Sequence, residues 1–164
     1  MTYPNQNVDA LEANSKGSNE YEILKAHALG CRLSQFDKRA LTEYLNHADQ
    51  MGTGVYLALS RLLRRKLKYA PDLIGNDPLD SIAIRGSRIS FAIDKLRPQN
   101  GRLLSREFYQ PGQDDISLAS LLGATLIGMS AGESAPFLQA DGSFRQVHLI
   151  SVDYQPALHI LEKQ

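Results

Sequence analysis

Gly128-Met129-Ser130-Ala131-Gly132 has the G-x-S-x-G spacing in which a serine on a tight turn attacks an acyl group, and Asp141 and His148 follow in hydrolase order. That chemistry needs a strand before the serine and a long helix after it. Here a helix-forming apolar run precedes Ser130 and Pro136 follows closely. Only 34 residues remain beyond Ser130, too few for the rest of a hydrolase sheet. Metal chemistry has no better footing, because His27, His47, His148 and His159 share no ligand spacing. The single cysteine, Cys31, excludes an internal disulfide and a thiolate-rich zinc site. Gly52-Thr53-Gly54 lacks the Lys-Ser/Thr ending and the preceding strand of a phosphate loop. The residues therefore imply no metal and no cofactor.

Two polar groups remain. Arg61, Arg64, Arg65 and Lys68 fall at i, i+3, i+4 and i+7, which aligns them as a basic stripe on one helix face, able to meet phosphates or acidic protein. The plainer reading is a solvated face. Asp49, Gln50 and Met51 lie in the polar stretch NHADQMGTG before the same helix. Overall the chain is neutral, with 18 basic and 18 acidic residues. The charge is unevenly spread: residues 31–68 hold eight Lys/Arg against three Asp/Glu, and residues 107–164 hold two against seven. Such a sequence dipole can steer encounter with a large charged partner.

The elements that position these groups follow from periodicity. At 164 residues and 43% apolar content the chain can bury one ordinary core. Residues 1–30 read as a mobile tail with a short helix over 21–29 that Gly30 ends, and without a signal peptide. Ser34 followed by Asp37 resembles a capping box, and Phe36, Ala40, Leu41, Tyr44, Leu45 and Ala48 then repeat at helical spacing. After the break at 51–54, Val55, Leu59, Leu62, Leu63 and Leu67 form a second stripe. Residues 31–70 thus make an antiparallel helical hairpin, a short coiled coil. A linker rich in Pro, Gly and Asn spans 71–81. From Ile82 the period becomes two: strands are expected over 82–84, 88–93, 102–110, 116–118 and 145–154, with a turn at 98–101 and a type I′ turn at Asp141-Gly142. Residues 82–157 form the second domain and 158–164 a tail. The fold class is α+β, with the sheet antiparallel.

The run ISLASLLGATLIGMSAGE (116–133) is too short for a membrane span, which needs ~20 apolar residues. Ser120 can cap a helix starting at Leu121, Gly128 can end it with a left-handed backbone, and Leu122, Leu126 and Ile127 would face the sheet. This run resembles the signature of the C-terminal domain of Gre-type transcription elongation factors and the related regulators of nucleoside diphosphate kinase, Rnk. Ile116, Ser117, Ser120, Gly123, Leu126, Gly128 and Gly132 match, with Glu133 in place of the acid. GSRISFAID (86–94) looks like that domain's first strand, and VDYQPA (152–157) is similar to the terminal Tyr-Gln-Pro of Rnk. The family's proline after the capping serine is Leu121 here, and its Gly-Gly turn is Asp141-Gly142.

The resemblance, closer to Rnk, implies an FKBP-like sheet with one packed helix. That domain would dock on RNA polymerase near its secondary channel, the hairpin pointing inward as a free arm. It places the polymerase-facing surface at Asp114, Asp115, Ser117, Ser120 and Leu121, with Asp49, Gln50 and Met51 at the hairpin tip. A cleavage factor must deliver at least two carboxylates to hold a second Mg²⁺. This tip has one, Asp49, and helices of about 14 residues reach only ~21 Å. The expectation is a cytoplasmic, bacterial, monomeric polymerase-binding accessory factor that is not an enzyme and does not stimulate transcript cleavage. Nucleic-acid or DNA contact would be indirect, through the basic helix, and no membrane is involved. The alternatives are a serine hydrolase at Ser130 and an FKBP-like prolyl isomerase, whose pocket needs several aromatics: the chain has no Trp, and Phe91, Phe108, Tyr109, Phe137 and Phe144 are mostly expected in core or strand positions.

Overall fold

The computed structural model describes residues 19–105 and 114–154, the side chains of Leu79 and Tyr154 excepted. The tail readings for 1–18 and 158–164, the far end of the strand expected over 102–110, Phe108, Tyr109 and the Gln155-Pro156-Ala157 motif lie outside these residues.

Three helices open the described chain. α1 (19–29) presents Leu24 and Ala28, four residues apart and therefore on one face, to the core at 2% and 0% exposure. α2 (Gln35–Met51) begins where the Ser34 hydroxyl accepts a hydrogen bond from the Asp37 N–H at 3.0 Å. It ends at Gly52, whose φ of +65° suits glycine and lets its N–H donate to the Ala48 carbonyl. α3 (Val55–Tyr69) returns antiparallel beside α2 and buries Ala58, Leu59, Leu62 and Leu63. Each large aliphatic side chain so buried contributes roughly 1.5–3 kcal/mol.

Five strands form one sheet: β1 (Arg88–Ile93), β2 (Gln99–Leu104), β3 (Asp115–Ser117), β4 (Ser134–Leu138) and β5 (Phe144–Tyr154), in spatial order β3-β2-β1-β5-β4. β2 and β3 pair parallel while every other pair is antiparallel, so the sheet is mixed and not wholly antiparallel as expected. Alternation within each strand is blind to strand direction. The direction shows only in the pairing, where Arg102, Leu103 and Leu104 run parallel to Asp115, Ile116 and Ser117. α4 (Leu121–Leu126) plugs the sheet, with the Ser120 hydroxyl accepting from Gly123 N–H at 3.0 Å and Gly128 at φ +86°. Leu118, Leu126 and Ile127 are fully buried, whereas Leu122, expected to face the sheet, is half-buried.

Several local expectations fail for physical reasons. Ile82-Ala83-Ile84 is buried but forms no regular strand, because it pairs with the irregular turn at 128–131: Gly128 N–H donates to Ala83 O, and Ala83 N–H to Met129 O. The turn after β1 falls at 94–97 instead of 98–101. Asp94 takes the left-handed region (φ +52°), and Gly101 pairs with Ile89 inside the ladder. A Cβ at Gly101 would come 2.6 Å from Ile116 Cδ1 and 3.1 Å from Asp114 O, so a larger residue there requires the Ile116 side chain to move. The β4–β5 connection is a three-residue loop and not a type I′ turn: Gly142 N–H donates to Gln139 O and Gly142 alone has positive φ there.

The largest difference concerns the hairpin. Expected to stand free, it shares one buried cluster with the sheet domain, in which Leu33, Leu41, Leu62 and Leu63 join Leu118, Leu126 and Leu149. Its exposed large apolar side chains gather at the far end, at Met51 and Val55 (47% and 45% exposed) and Leu57. The apolar stripes on α2 and α3 are wide enough to pack against each other and also, at the base, against α4. No helix among the described residues is long and apolar enough to cross a membrane.

Candidate functional site

The hairpin tip is built by two glycines, Gly52 and Gly54, both at positive φ, which let α2 stop and α3 start within three residues. Around this turn Met51 and Val55 point to solvent, and Leu57 follows at 49% exposure. Asp49, the tip's lone acid, is turned back along the hairpin. Arg64 Nη2 lies 2.8 and 3.0 Å from its two oxygens. The Ser60 hydroxyl, and then Arg64, hold this carboxyl below the ordinary range. The acid is therefore ionised and already partnered, and the tip presents apolar side chains flanked by Gln50.

The strip proposed from the sequence at the foot of the plug helix is contiguous, since β3 runs through Leu118 and Ala119 into α4. Its members are not equally available. Ser120 caps α4 and donates its own hydroxyl hydrogen to Ser117 O at 2.6 Å, while Ser117 Oγ accepts from Ala119 N–H at 3.1 Å. Asp115, with its side chain 9% exposed, lies 3.9 Å from Arg102. Leu121 is half-buried and Asp114 is exposed. Asp114 is thus the exposed member of the strip, Leu121 packs in part against the core, and the two serines build the turn.

The basic stripe is largely engaged within the chain. Arg61 Nε pairs with Glu20 at 2.6 Å, and the Arg65 guanidinium lies 4.1 Å from the Tyr21 ring centroid, both partners supplied by α1. Lys68 sits over Tyr69 at 5.3 Å, as does Lys25 at 5.0 Å, and the Tyr21 and Tyr69 hydroxyls are hydrogen-bonded. The hydrolase triad does not assemble. His148 Nδ1 takes Ser134 Oγ at 2.8 Å, Asp141 is committed to Ser143 N and Oγ, and Ser130 bridges to Ile82. Among the described residues no three His, Cys, Asp or Glu side chains are grouped for a metal ion.

Sequence reasoning missed a buried polar cluster. Lys66 is 1% exposed, and its Nζ lies 2.8 Å from Thr125 O and 3.2 Å from His27 Nε2. His27 Nε2 is 3.1 Å from the same carbonyl and 3.7 Å from Cys31 Sγ. Burial lowers the pKa of Lys66 and raises that of the Cys31 thiol. Burial, then the Lys66 charge, brings His27 down to about 3. Asp37, 1% exposed with Oδ1 unpartnered, is pushed up to about 6 by burial. The signal was in the spacing: Lys66 lies i+7, i+4 and i+3 from Leu59, Leu62 and Leu63, and Asp37 lies i−4 and i−7 from Leu41 and Tyr44.

No protein-family model matches the sequence, and a search of curated proteins also found no match. Among solved structures, the chain is similar to a prokaryotic transcription elongation factor GreA/GreB from Nitrosomonas europaea. The TM-score is 0.55 at 17% identity, covering 76% of this chain and 99% of that one. What they share is the fold. A looser match is the GreA factor homolog 1 (Gfh1) protein of Thermus thermophilus, with TM-score 0.39 at 17% identity over 76% of this chain and 99% of that one.

Proposed function

We propose that this chain is an RNA polymerase-binding accessory factor of the Gre/Rnk type, which docks through its sheet domain and presents a short hairpin without stimulating transcript cleavage. The fold shared with a GreA/GreB elongation factor supports the polymerase as partner. The observation that carries the second half is Asp49: the lone tip carboxylate is engaged by Arg64 and Ser60. A hydrolytic Mg²⁺ needs several free oxygen ligands delivered together. Helices of 17 and 15 residues also give a reach of only ~25 Å and ~22 Å, part of it embedded at the base.

In this reading Asp114 and Leu121 meet the polymerase, and Asp115, Ser117 and Ser120 hold them in place. The tip, Gln50 and Met51 with Asp49 behind them, occupies the channel mouth. Nucleic-acid contact, where it occurs, is indirect and falls to Arg64 and Lys68, which are exposed on α3. The FKBP-like character of the sheet serves docking here, since a fold does not by itself carry an isomerase activity. The factor acts as a cytoplasmic monomer.

The test is co-purification with core RNA polymerase, then competition with a cleavage factor on a stalled elongation complex. Binding, displacement of the cleavage factor and no added cleavage are expected. Absence of binding, or cleavage above the background rate, would overturn the proposal.

A further inference from the structure

The Lys66 cluster is the least expected feature of the molecule, and it lies at a joint. Its three members come from different places: His27 from α1, Lys66 from the last turn of the hairpin's second helix, and the Thr125 carbonyl from the last turn of the plug helix. A carbonyl in that turn has no N–H four residues on within the helix, so Lys66 supplies a donor the helix lacks. The surroundings are apolar, with Leu62 and Leu63 on the same helix buried at 1% and 0%. A Leu or Met at position 66 would fill such space without the cost of burying an amine.

Apolar packing between helices tolerates more than one crossing, because ridges can re-seat in neighbouring grooves. A hydrogen bond does not tolerate this, since its strength falls steeply with angle and distance. We infer that the Lys66–His27–Thr125 triangle is an orientation lock, which fixes the direction of the hairpin relative to the sheet and hence where its tip points. Lys66 Nζ donates to Thr125 O, and the His27 tautomer decides whether Nε2 donates to that carbonyl or accepts from the amine. Other contacts hold the joint as well: Arg61 and Tyr69 tie α3 to α1, Leu33 N–H donates to Pro71 O just after α3, and Arg32 N–H donates to Gly128 O; Lys66 is the side chain that bonds α3 to the plug helix. Lys66 is thus a positioning residue. The inference concerns the chain alone and stands whichever partner the tip meets.

Residual dipolar couplings of the full chain test it, with thermal melting as a check on folding. In the native protein one alignment tensor should fit both the hairpin (35–69) and the sheet (88–93 and 144–151). Lys66→Met keeps the volume and removes the donor. It should melt cooperatively yet require two tensors, with the hairpin's alignment magnitude reduced relative to the sheet's. His27→Gln, which retains a hydrogen-bonding group, should keep the single tensor. A single unchanged tensor in Lys66→Met would overturn the inference. So would loss of cooperative melting in that variant, which would assign the amine to folding and not to orientation.

Discussion

Arg64 and Lys66 are two residues apart on one helix, yet they belong to opposite regimes. Arg64 faces solvent on the outer side of α3, meets Asp49 and can exchange that partner for water or another anion. Lys66 faces inward at the base, 1% exposed, and has no access to water when its hydrogen bonds break. The hairpin therefore has an inner face and base that belong to the core, and an outer face and tip that belong to the surface. A change of chemistry costs stability at the first and alters recognition at the second.

The strongest way to break this comparison is to truncate each end. Leu63→Ala at the fully buried base should cost about 2–5 kcal/mol in denaturant unfolding, through lost transfer energy and the cavity left behind. Met51→Ala at the tip should stay within about 0.5 kcal/mol of the native chain. Equal losses would mean that base and tip are one continuous surface element, and the division would fall.

Titration sharpens it next. Below pH 6.5 the unfolded chain protonates His27 while the fold resists down to about 3, so His27 drains stability as pH falls through that window. Asp37 works the other way. The fold holds its proton up to about 6, whereas the unfolded carboxyl releases it above 3.8, so stability is lost as pH rises between the two. Where the windows overlap, the opposing slopes are each ~1.4 kcal/mol per pH unit at most. Chemical denaturation between pH 4 and 6 should be nearly flat for the native chain, should gain stability on acidification in His27→Gln, and should lose it in Asp37→Asn. Three identical profiles would show that neither group is buried as described.

Smaller effects follow. Ser120→Ala removes the cap of α4 and should lower stability by about 1 kcal/mol. Binding to any partner of the Asp114–Leu121 strip should fall only in proportion to that loss, whereas Asp114→Ala should weaken binding with the melting temperature unchanged. Least of all, Arg64→Ala should leave melting unaltered and loosen the Asp49 carboxylate in part, the Ser60 hydroxyl remaining as its larger restraint. Its chemical shift on acid titration should then move up toward the ordinary aspartate range, and a shift that stays put would show that Arg64 is not its partner.

Much of the fold was legible because helical and strand periods are local. The Ser34 and Ser120 caps, the break at 51–54 and the alternation in β1 and β5 follow from neighbours a few residues apart. Gly101 was misread as a turn residue because its reason, Ile116 lying across it, comes from another strand. The candidate site was legible as positions and not as roles. Asp114, Asp115, Ser117, Ser120 and Leu121 fall together at the foot of α4, but that Ser117 and Ser120 are engaged in the turn and that Asp114 is the exposed member of the five depends on the folded backbone. The basic stripe was placed correctly on α3, and its partners Glu20 and Tyr21 come from a segment read as a tail.

The sequence by itself determined the three helices over 35–51, 55–69 and 121–126, the strands β1 and β5, the Ser34 and Ser120 caps and the count of one carboxylate at the tip, since these depend on local backbone preference and side-chain type. Only the tertiary structure decided that β3 runs parallel to β2, that the hairpin's base joins the sheet's core, and that a lysine in a basic run is the buried one. Those outcomes arise from contacts between residues far apart in the chain. Their free energy depends on which surfaces finally exclude water together.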